Sequence, residues 1–520
     1  MKKIFTIVFL IFTLNPLPAI SRSWQEMMDD LITAPYGQSQ DSLLDAIVKA
    51  KPDYKAVIEY IENFPYPASE TGIAVLKKNL CLDGVERPYV IYIPSTYNPK
   101  TPTPLLVGLH GSVNRPQLMA EPLDWVAKSL FKKMAENNGW IVLFPLGQTK
   151  ATWWDNIGMN NILSQIRLTK REYSIDDDRV WMIGFSDGGS AAFLFAMVAS
   201  TDFAAFAALN GHMGVGSIDG NQPLYACNLS NSPIYATATD NDQLYPPSQM
   251  EKAIAMATSA GADIYYRQLP GKHDINAIIS ELPSIAEFFK RHPRDPFPYQ
   301  IEWETAVKSF GLCNWLWVED IGDSEPADWH QDYNAVIVDS SVSIGILPDE
   351  NFAGHGVAVA GLANGDYLAG RIGLRAGDII LKANGISIVN MDSLAIFKNF
   401  CSRGSNVKME IQRDSEKLTL IGNFPEPYRY FVFKREIPSA KAIASFGANS
   451  VNIKTSRTAA LRLYIHPDMF LLDRDIKIVV DDSTCFDGKI EPDLRFIMEN
   501  YLKHRDRKLL YLNQLRLDLQ

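Results

Sequence analysis

The fold is decided by the stretch from residue 180 to residue 190, which reads Val180-Trp181-Met182-Ile183-Gly184-Phe185-Ser186-Asp187-Gly188-Gly189-Ser190. An apolar run of strand character leads into a Gly-x-Ser-x-Gly turn, and a run of helical character follows. In that context the turn strains the serine backbone and lifts its hydroxyl group out of the carboxyl edge of a sheet. Ser186 is therefore the candidate nucleophile, and the alternative is a glycine-rich turn with a structural role only.

Strands and helices alternate on both sides of this turn. Apolar strands are predicted at 89–93, 105–109, 140–144, 180–184, 204–209, 234–239 and 264–269, and helices at 125–137, 160–173, 190–200, 248–259 and 275–289. Strands buried on both faces and separated by helices predict a doubly wound, mostly parallel sheet with helices on each side. We expect an α/β-hydrolase catalytic domain over residues 80–292.

A serine hydroxyl group needs a base, and in this fold the chain order is Ser, then Asp or Glu, then His. His273 follows a predicted strand and precedes a predicted helix, so it is the candidate base. His212 comes too early and is interpreted as a loop or pocket-wall residue. Asp242 is favoured as the acid because of its spacing to the residues that follow it, and Asp240 is the alternative, which would otherwise form a turn.

The oxyanion formed during acyl transfer needs two backbone N–H donors, each contributing about 3 kcal/mol. The first is expected from Asp187, the residue after the nucleophile, and the second from Ser112, which follows the predicted strand at 105–109. His110, in the same loop, is expected to brace that loop.

Two tryptophans, Trp153 and Trp154, lie in a loop between a predicted strand and a predicted helix. That loop belongs to the edge of the sheet that carries active-site loops. The two side chains could line a substrate cleft, and the alternative is packing beneath the loop.

Four motifs carry a resemblance to a known family: Arg87-Pro88-Tyr89-Val90-Ile91-Tyr92-Ile93-Pro94, Leu109-His110-Gly111, Trp153-Trp154-Asp155 and Gly184-Phe185-Ser186-Asp187-Gly188-Gly189. The hydrolase portion thereby resembles exported esterases that include feruloyl and acetyl-xylan esterases and polyhydroxybutyrate depolymerases. The resemblance implies hydrolysis of a carboxylic ester, in a small molecule or a polymer, through an acyl-enzyme and without a cofactor. Prolyl-oligopeptidase-like peptidases share the serine motif, so a serine exopeptidase stays open, although their β-propeller has no counterpart ahead of this hydrolase segment.

The segment from 341 to 424 resembles a bacterial PDZ domain. The resemblance is carried by Ile344-Gly345-Ile346, Gly356-Val357-Ala358-Val359, Asn384-Gly385 and the run Ala369-Gly370-Arg371-Ile372-Gly373-Leu374-Arg375-Ala376-Gly377-Asp378-Ile379-Ile380-Leu381. It implies capture of a peptide C-terminus, with the carboxylate group held by the loop containing Ile344, Gly345 and Ile346. A helix at 392–400 should form the opposite wall, with Leu394 and Phe397 facing either ligand or core. The alternatives are a segment that only packs against its neighbours and, for the whole chain, a non-catalytic PDZ binding protein.

The remaining segments flank these two. Residues 22–79 are predicted to form a helical lead-in, and a proline-rich boundary at 293–298 precedes a β-rich segment at 299–340. A C-terminal β-rich domain is predicted over 425–520. We expect it to pack with the 299–340 segment, so that the PDZ domain is an insertion.

The net charge and the N-terminal sequence limit the partners and the cellular location that can be expected for this protein. The formal net charge is −10, and no run rich in Lys and Arg appears, so nucleic acid is not an expected partner. Residues 1–21 read as a cleaved signal peptide whose apolar run is too short to cross a membrane, which predicts a secreted or periplasmic protein without a membrane span. The five cysteines lack metal-ligand spacing, so no metal site is predicted, and buried free thiols are expected.

Overall fold

A computed structural model of the chain describes residues 22–34, 40–339, 342–349, 352–363, 365–433 and 437–519. The predicted signal peptide, residues 1–21, lies outside the described residues.

Three amphipathic helices open the described chain: α1 (Trp24–Thr33), α2 (Asp41–Ala50) and α3 (Tyr54–Glu62). Ser23 begins the first with a capping box, in which its side chain accepts from the backbone N–H of Glu26 and the Glu26 carboxylate accepts in return. Their apolar faces form one buried cluster that also includes Met498 and Tyr501 from the other end of the chain. The first three helices are thus held against a C-terminal helix.

The predicted helical lead-in at 22–79 is wrong at its end, where the chain forms a strand. Strand β1 (Ile73–Leu80) pairs in antiparallel register with β2 (Glu86–Ile93), so that Val75 lies opposite Ile91. The strand is an edge of the sheet, and its Lys77 and Lys78 are side chains typical of exposed edges. Its weak apolar pattern explains why the sequence did not reveal it.

The central body alternates strands with helices. Its further elements are β3 (Thr103–Leu109), α4 (Pro122–Lys128), α5 (Leu130–Asn138), β4 (Ile141–Pro145), α6 (Asn156–Glu172), β5 (Ile175–Phe185), α7 (Asp187–Val198), β6 (Ala205–Leu209), α8 (Val215–Ile218), a 3₁₀ helix at Ala226–Asn231, β7 (Ile234–Thr239), α9 (Pro247–Ser259), β8 (Ile264–Leu269), a 3₁₀ helix at Ile275–Glu281 and α10 (Leu282–Arg291). The eight strands form one sheet in the order β1-β2-β4-β3-β5-β6-β7-β8. From β4 to β8 all neighbours are parallel.

Two buried clusters cover the two faces of this sheet. One includes Phe193 and Phe195 of α7, and the other includes Phe131 of α5 and Phe289 of α10. Strand order, antiparallel second strand and helices on both faces are those of an α/β-hydrolase, and the predicted fold class is confirmed. The carboxyl ends of β3, β5, β7 and β8 therefore meet at one edge.

The second half of the chain is β-rich. Its elements are β9 (Gln300–Thr305), a 3₁₀ helix at Lys308–Phe310, β10 (Leu312–Cys313), β11 (Leu316–Ile321), β12 (Val336–Asp339), β13 (Ile346–Pro348), β14 (Val357–Leu362), α11 (Leu368–Ile372), β15 (Ile379–Ala383), β16 (Ile386–Ser387), α12 (Met391–Asn399), β17 (Asn406–Arg413), β18 (Glu416–Asn423), β19 (Tyr428–Phe431), β20 (Ala440–Gly447), β21 (Ser450–Ser456), β22 (Thr458–Ile465), β23 (Ile476–Val480), β24 (Ser483–Gly488), α13 (Leu494–His504) and β25 (Asn513–Asp518).

Strands from before and after the PDZ-like segment share sheets. One sheet has the order β10-β11-β22-β25 and another the order β24-β23-β21-β20-β9. Within the segment, β13-β14-β15-β17-β18 form a separate sheet with its own buried cluster. The two-stranded pair of β12 and β19 lies where the chain enters and leaves that segment, and we call this pair the connecting ribbon.

A buried ion network joins the α/β body to the C-terminal part of the chain. Asp506 has a fully buried side chain and pairs with Lys170 at 3.1 Å and with Arg294 at 2.8 Å. Lys170 also pairs with Asp177 at 2.9 Å. Burial alone would raise the pKa of Asp506, but the two cations hold it far below its usual range. Charges this deeply buried depend on one another, and the network connects the two parts of the chain.

Candidate active site

Ser186 lies between the end of β5 and the start of α7 in a strained conformation, with φ 59° and ψ −121°. The turn has room only for glycine on either side. A Cβ atom on Gly184 would lie 2.2 Å from the carbonyl oxygen of Gly188, and one on Gly188 would lie 2.3 Å from the carbonyl oxygen of Leu109. The glycines of the motif therefore exist because backbones approach closely around the serine.

The structure brings together the three side chains predicted for the triad. Nε2 of His273 lies 2.8 Å from Oγ of Ser186, and Nδ1 of His273 lies 2.6 Å from Oδ2 of Asp242. Ser186 is 8% exposed, and the side chain of Asp242 is fully buried. In this arrangement the imidazole ring can accept the serine proton while the carboxylate group fixes the proton on Nδ1.

The carboxylate group of Asp242 is held by four donors. Oδ1 accepts from the backbone N–H groups of Leu244 and Tyr245, each at 2.9 Å, and Oδ2 accepts from Asn210 Nδ2 at 3.2 Å as well as from His273. Burial by itself would raise the pKa of Asp242, but these hydrogen bonds outweigh it and hold the pKa below its usual value. The group therefore stays anionic at neutral pH.

Asp240, the alternative acid, has a different environment. It is exposed, and its Oδ1 accepts from the backbone N–H of Gly271 at 2.9 Å. That bond ties the acid loop to the loop carrying His273. Of the two candidates, Asp242 is the one that contacts the imidazole ring.

The loop after β3 passes directly over the nucleophile. A Cβ atom on Gly111 would lie 3.0 Å from Cβ of Ser186, and Ser112 next to it has a positive φ of 52°. Asp187 is the first residue of α7, so its N–H has no acceptor within the helix. The Asp187 carboxylate accepts from the backbone N–H of Val113 at 2.8 Å and anchors the loop. The two predicted oxyanion donors thus belong to segments that meet at Ser186.

His110 braces this loop. Its Nε2 accepts from the backbone N–H of Gly147 at 3.1 Å, which leaves Nδ1 to donate to the carbonyl oxygen of Gly111 at 2.8 Å. Burial lowers the pKa of His110, so the ring is neutral, as these bonds require.

The structure does not place Trp153 and Trp154 in the substrate cleft, which corrects that expectation. Trp153 is 0% exposed and Trp154 4% exposed. The Trp153 indole N–H donates to the carbonyl oxygen of His110 at 2.9 Å. Both rings belong to the buried cluster under the loop, where a substrate would not contact them.

A cavity of about 990 Å³ opens beside the nucleophile. Ser186, His273 and Ser112 line it, together with apolar side chains contributed mainly by residues 118–131 and by Phe185. This volume is at the upper end of the range common for small-molecule sites.

Three contributors to the site were missed in the sequence: Asn210, Tyr245 and Tyr430. Tyr245 lies with its ring centroid 5.5 Å from that of His273, and its hydroxyl group donates to Asp187 at 3.3 Å. Tyr430, on the connecting ribbon, hydrogen-bonds His212. Asn210 had a local signal because it follows β6 at the edge that carries the triad, and Tyr245 had one because it lies among the residues whose spacing favoured Asp242.

Within the described ranges, no group of three or more His, Cys, Asp or Glu side chains could hold a metal ion. In that same part of the chain no helix has the length and apolarity needed to cross a bilayer.

The predicted carboxylate loop of the PDZ-like segment precedes an edge strand. Gly345 has a φ of 79°, and a Cβ atom there would lie 2.2 Å from Cβ of Tyr367. Ile344 is buried in the core of the segment, and Ile346 begins β13, which is the outermost strand of its sheet.

The helix predicted at 392–400 is α12. Its Leu394 and Phe397 are buried in the core of the PDZ-like segment, at 2% and 1% exposure. Of the two alternatives left by the sequence, both side chains therefore face the core.

Residues 337–412 match the family model of the PDZ domain, which confirms that resemblance. The bifunctional acetylxylan esterase/xylanase XynS20E of Neocallimastix patriciarum is 29% identical over 174 residues, which is 32% of this chain and 23% of that protein. The chain thus spans about a quarter of the length of this curated relative.

Solved structures that are similar include a thermostable esterase, at 19% identity and a TM-score of 0.35, covering 42% of this chain and 63% of the other. A ferulic acid esterase matches at 16% identity and a TM-score of 0.36, covering 43% of this chain and 99% of the other. A putative dipeptidyl aminopeptidase IV from Bacteroides ovatus matches at 14% identity and a TM-score of 0.34, covering 42% of this chain and 36% of the other.

Proposed function

We propose that this protein is a serine hydrolase that cleaves carboxylic esters, with Ser186 as nucleophile, His273 as base and Asp242 as the acid that orients the base. The observation that carries the proposal is the continuous hydrogen-bonded chain from Ser186 Oγ through His273 to Asp242, at 2.8 and 2.6 Å. A buried anionic acid, an imidazole ring that is mostly buried at 19% exposure and a strained serine beside a cavity are the parts that acyl transfer needs.

The reaction proceeds in two halves. Ser186 Oγ attacks the ester carbonyl carbon while His273 Nε2 takes its proton, and the oxyanion accepts hydrogen bonds from the N–H groups of Asp187 and Ser112. Collapse breaks the bond to the alcohol, which leaves with the proton from His273, and the acyl group stays on Ser186. Water, deprotonated by the same imidazole ring, then releases the carboxylic acid.

An ester, rather than a peptide bond, is the proposed substrate. The curated relative that is 29% identical over 174 aligned residues is named a bifunctional acetylxylan esterase/xylanase, and the esterase part of that name supports this choice. We include esters of small molecules and of polymers among the proposed substrates. An exopeptidase would differ in cleaving aminoacyl or dipeptidyl amides.

The test compares the purified protein with its Ser186→Ala variant on 4-nitrophenyl acetate and on aminoacyl 4-nitroanilides. We expect ester hydrolysis that falls by at least about 10⁴-fold in kcat in the variant. Ser259→Ala, on α9, serves as the matched control and should retain full activity. Ester hydrolysis that persists in Ser186→Ala would contradict the proposal, and Ser186-dependent cleavage of the anilides alone would favour the peptidase.

A second role, capture of a peptide C-terminus by the PDZ segment, is supported by the position of β13 as the outermost strand of its sheet within the described residues. An extended peptide could add to that edge as a further strand, while backbone N–H groups around Gly345 hold its carboxylate group. Fluorescence anisotropy with peptides ending in an apolar residue tests this role. A free carboxylate should bind and its C-terminal amide should not, whereas equal signals from both would reject it.

The domain arrangement and the location are proposed with the function. Because β9 pairs with β20 and β11 pairs with β22, we infer that the PDZ segment is inserted into one β-rich unit built from 299–340 and 425–520. We also propose export, on the basis of the N-terminal sequence pattern. Cell fractionation followed by mass measurement tests this proposal. The exported form should lack about twenty residues at its N-terminus.

A further inference from the structure

The cavity beside Ser186 carries an unusual balance of charge for this protein. Among the described residues, its lining contains two fixed cations, Arg115 and Lys128, and no carboxylate side chain. The chain as a whole has a net charge of −10. The net charge of the protein therefore repels an anionic substrate, whereas the charge of the cavity lining attracts it.

The two cations lack an acidic partner within the part of the chain that the structure describes. Across the described ranges, neither Arg115 nor Lys128 forms an ion pair or a side-chain hydrogen bond, whereas other cations of the chain, such as Arg87 and Arg294, are paired. Asp187, the residue after the nucleophile, has carboxylate oxygens that accept from Val113 and Tyr245. The positive charge of the cavity is thus available to a ligand.

Arg115 lines the same cavity as Ser186 and His273. It follows the loop that passes over Ser186, and Thr149 donates a backbone hydrogen bond to its carbonyl oxygen at 2.8 Å, which fixes the backbone at this point. Burial is the main cause of the lowered pKa of His110, and the charge of Arg115 adds to it. A guanidinium group in this position can form a bidentate pair with a carboxylate group.

Part of the remaining lining is aromatic. Trp125, Phe131 and Phe185 contribute aromatic surface to the same cavity. A ligand that suits both features has an apolar or aromatic body and an anionic end.

We propose that the ester cleaved at Ser186 carries a carboxylate group, recognised by Arg115 and Lys128, on the part of the substrate that occupies this cavity. This inference rests on the proposed function, and it adds the chemical class of the substrate. The carboxylate group belongs either to the acyl part, as in a half-ester of a dicarboxylic acid, or to the alcohol part, as in an ester of a hydroxy acid.

Two matched substrate pairs distinguish these sources. The acyl pair is the 4-nitrophenyl monoester of glutaric acid and 4-nitrophenyl hexanoate. The alcohol pair is the acetyl ester of 3-(4-hydroxyphenyl)propionic acid and that of its methyl amide. Full-length protein is assayed on all four for kcat and KM, at low and at high ionic strength.

In one pair we expect a higher kcat/KM for the anionic member, caused by a lower KM. This preference should shrink at high ionic strength, since salt screens partly exposed charge pairs. Arg115→Gln and Lys128→Gln should each lower the ratio of anionic to neutral kcat/KM by about tenfold, the size typical of a hydrogen-bonded charge. Lys133→Gln, an exposed lysine on α5 outside the cavity lining, is the control and should leave the ratio as it is.

An equal or lower kcat/KM for the anionic member in both pairs would overturn the inference. In that case, Ser186-dependent hydrolysis of the neutral esters would still support the proposed function. An anionic preference that neither Gln variant reduces would also overturn it. If no ester is hydrolysed in a Ser186-dependent way, the proposed function fails and this inference fails with it.

Discussion

The phenol oxygen of Tyr430 lies 2.7 Å from Nε2 of His212. The backbone N–H of Gly214 donates to Nδ1 of the same ring at 3.0 Å, so the neutral imidazole carries its proton on Nε2 and donates it to Tyr430. The Tyr430 hydroxyl group then donates to Gln249 at 3.1 Å. The connecting ribbon of the PDZ segment is thereby hydrogen-bonded to a loop that packs on Tyr245, the residue whose backbone N–H holds Asp242.

Tyr430→Phe should weaken both stability and turnover. It leaves the Nε2 proton of His212 without its acceptor in a buried position, which costs about 1–3 kcal/mol in the free energy of unfolding. Because the loosened loop packs on the acid loop, we expect kcat for an ester to fall severalfold with little change in KM. Tyr428→Phe, on the same strand, is the control, and an equal loss of kcat in both variants would reject a specific role for Tyr430.

His212 should make stability depend on pH. Burial lowers the pKa of His212 to about 4, whereas in the unfolded chain it is about 6.5. Below pH 6.5 the unfolded state therefore binds a proton that the folded state does not, and the free energy of unfolding falls, by up to about 3 kcal/mol at pH 4. Urea unfolding of His212→Gln at pH 7.5 and 4.5 should show a smaller fall than the wild type. Parallel losses in the two proteins would assign the pH dependence to other groups.

The two acid candidates should differ sharply in activity. Asp242→Asn removes the charge that fixes the His273 tautomer, and we expect kcat to fall by about 10⁴-fold. Asp240→Asn alters only the bond between two loops, so a loss of less than about tenfold is expected, in line with one exposed hydrogen bond. Steady-state kinetics on one aryl ester measures both, and the reverse ranking would assign the acid role to Asp240.

Asp506→Asn should destabilise the protein strongly. The substitution leaves Lys170 and Arg294 buried beside a neutral group, and breaking a buried pair in this way costs about 3–5 kcal/mol. Asp518→Asn removes the exposed pair with Arg516 instead and should change the free energy of unfolding by less than about 1 kcal/mol. Denaturant unfolding compares the two variants. Similar small losses of the free energy of unfolding would show that the buried ion network contributes little to holding the α/β body and the C-terminal part of the chain together.

The part of the site that was predictable is the part encoded locally. The strand, turn and helix around Ser186 follow from one short motif, and the positions of Asp242 and His273 after consecutive strands follow from the parallel sheet. The choice of Asp242 rested on its spacing to the next residues, whose N–H groups hold its carboxylate group in the structure.

What the sequence did not reveal depends on contacts between distant segments. The pairing of β1 with β2 stabilises a strand whose own pattern is weak. Trp153 is an aromatic residue in a loop at the active-site edge, which suggested a cleft position. In the structure its indole N–H donates to a carbonyl oxygen beneath the loop. Tyr430 and His212 are 218 positions apart in the chain, and no local pattern predicts that they meet.

The most direct test of the central claim is mass spectrometry of the intact protein after reaction with a fluorophosphonate. We expect one covalent adduct, mapped to Ser186 by peptide analysis, absent from Ser186→Ala and formed much more slowly by His273→Gln. An adduct on another residue, or a wild-type protein that stays unlabelled, would contradict the assignment of Ser186 as the nucleophile.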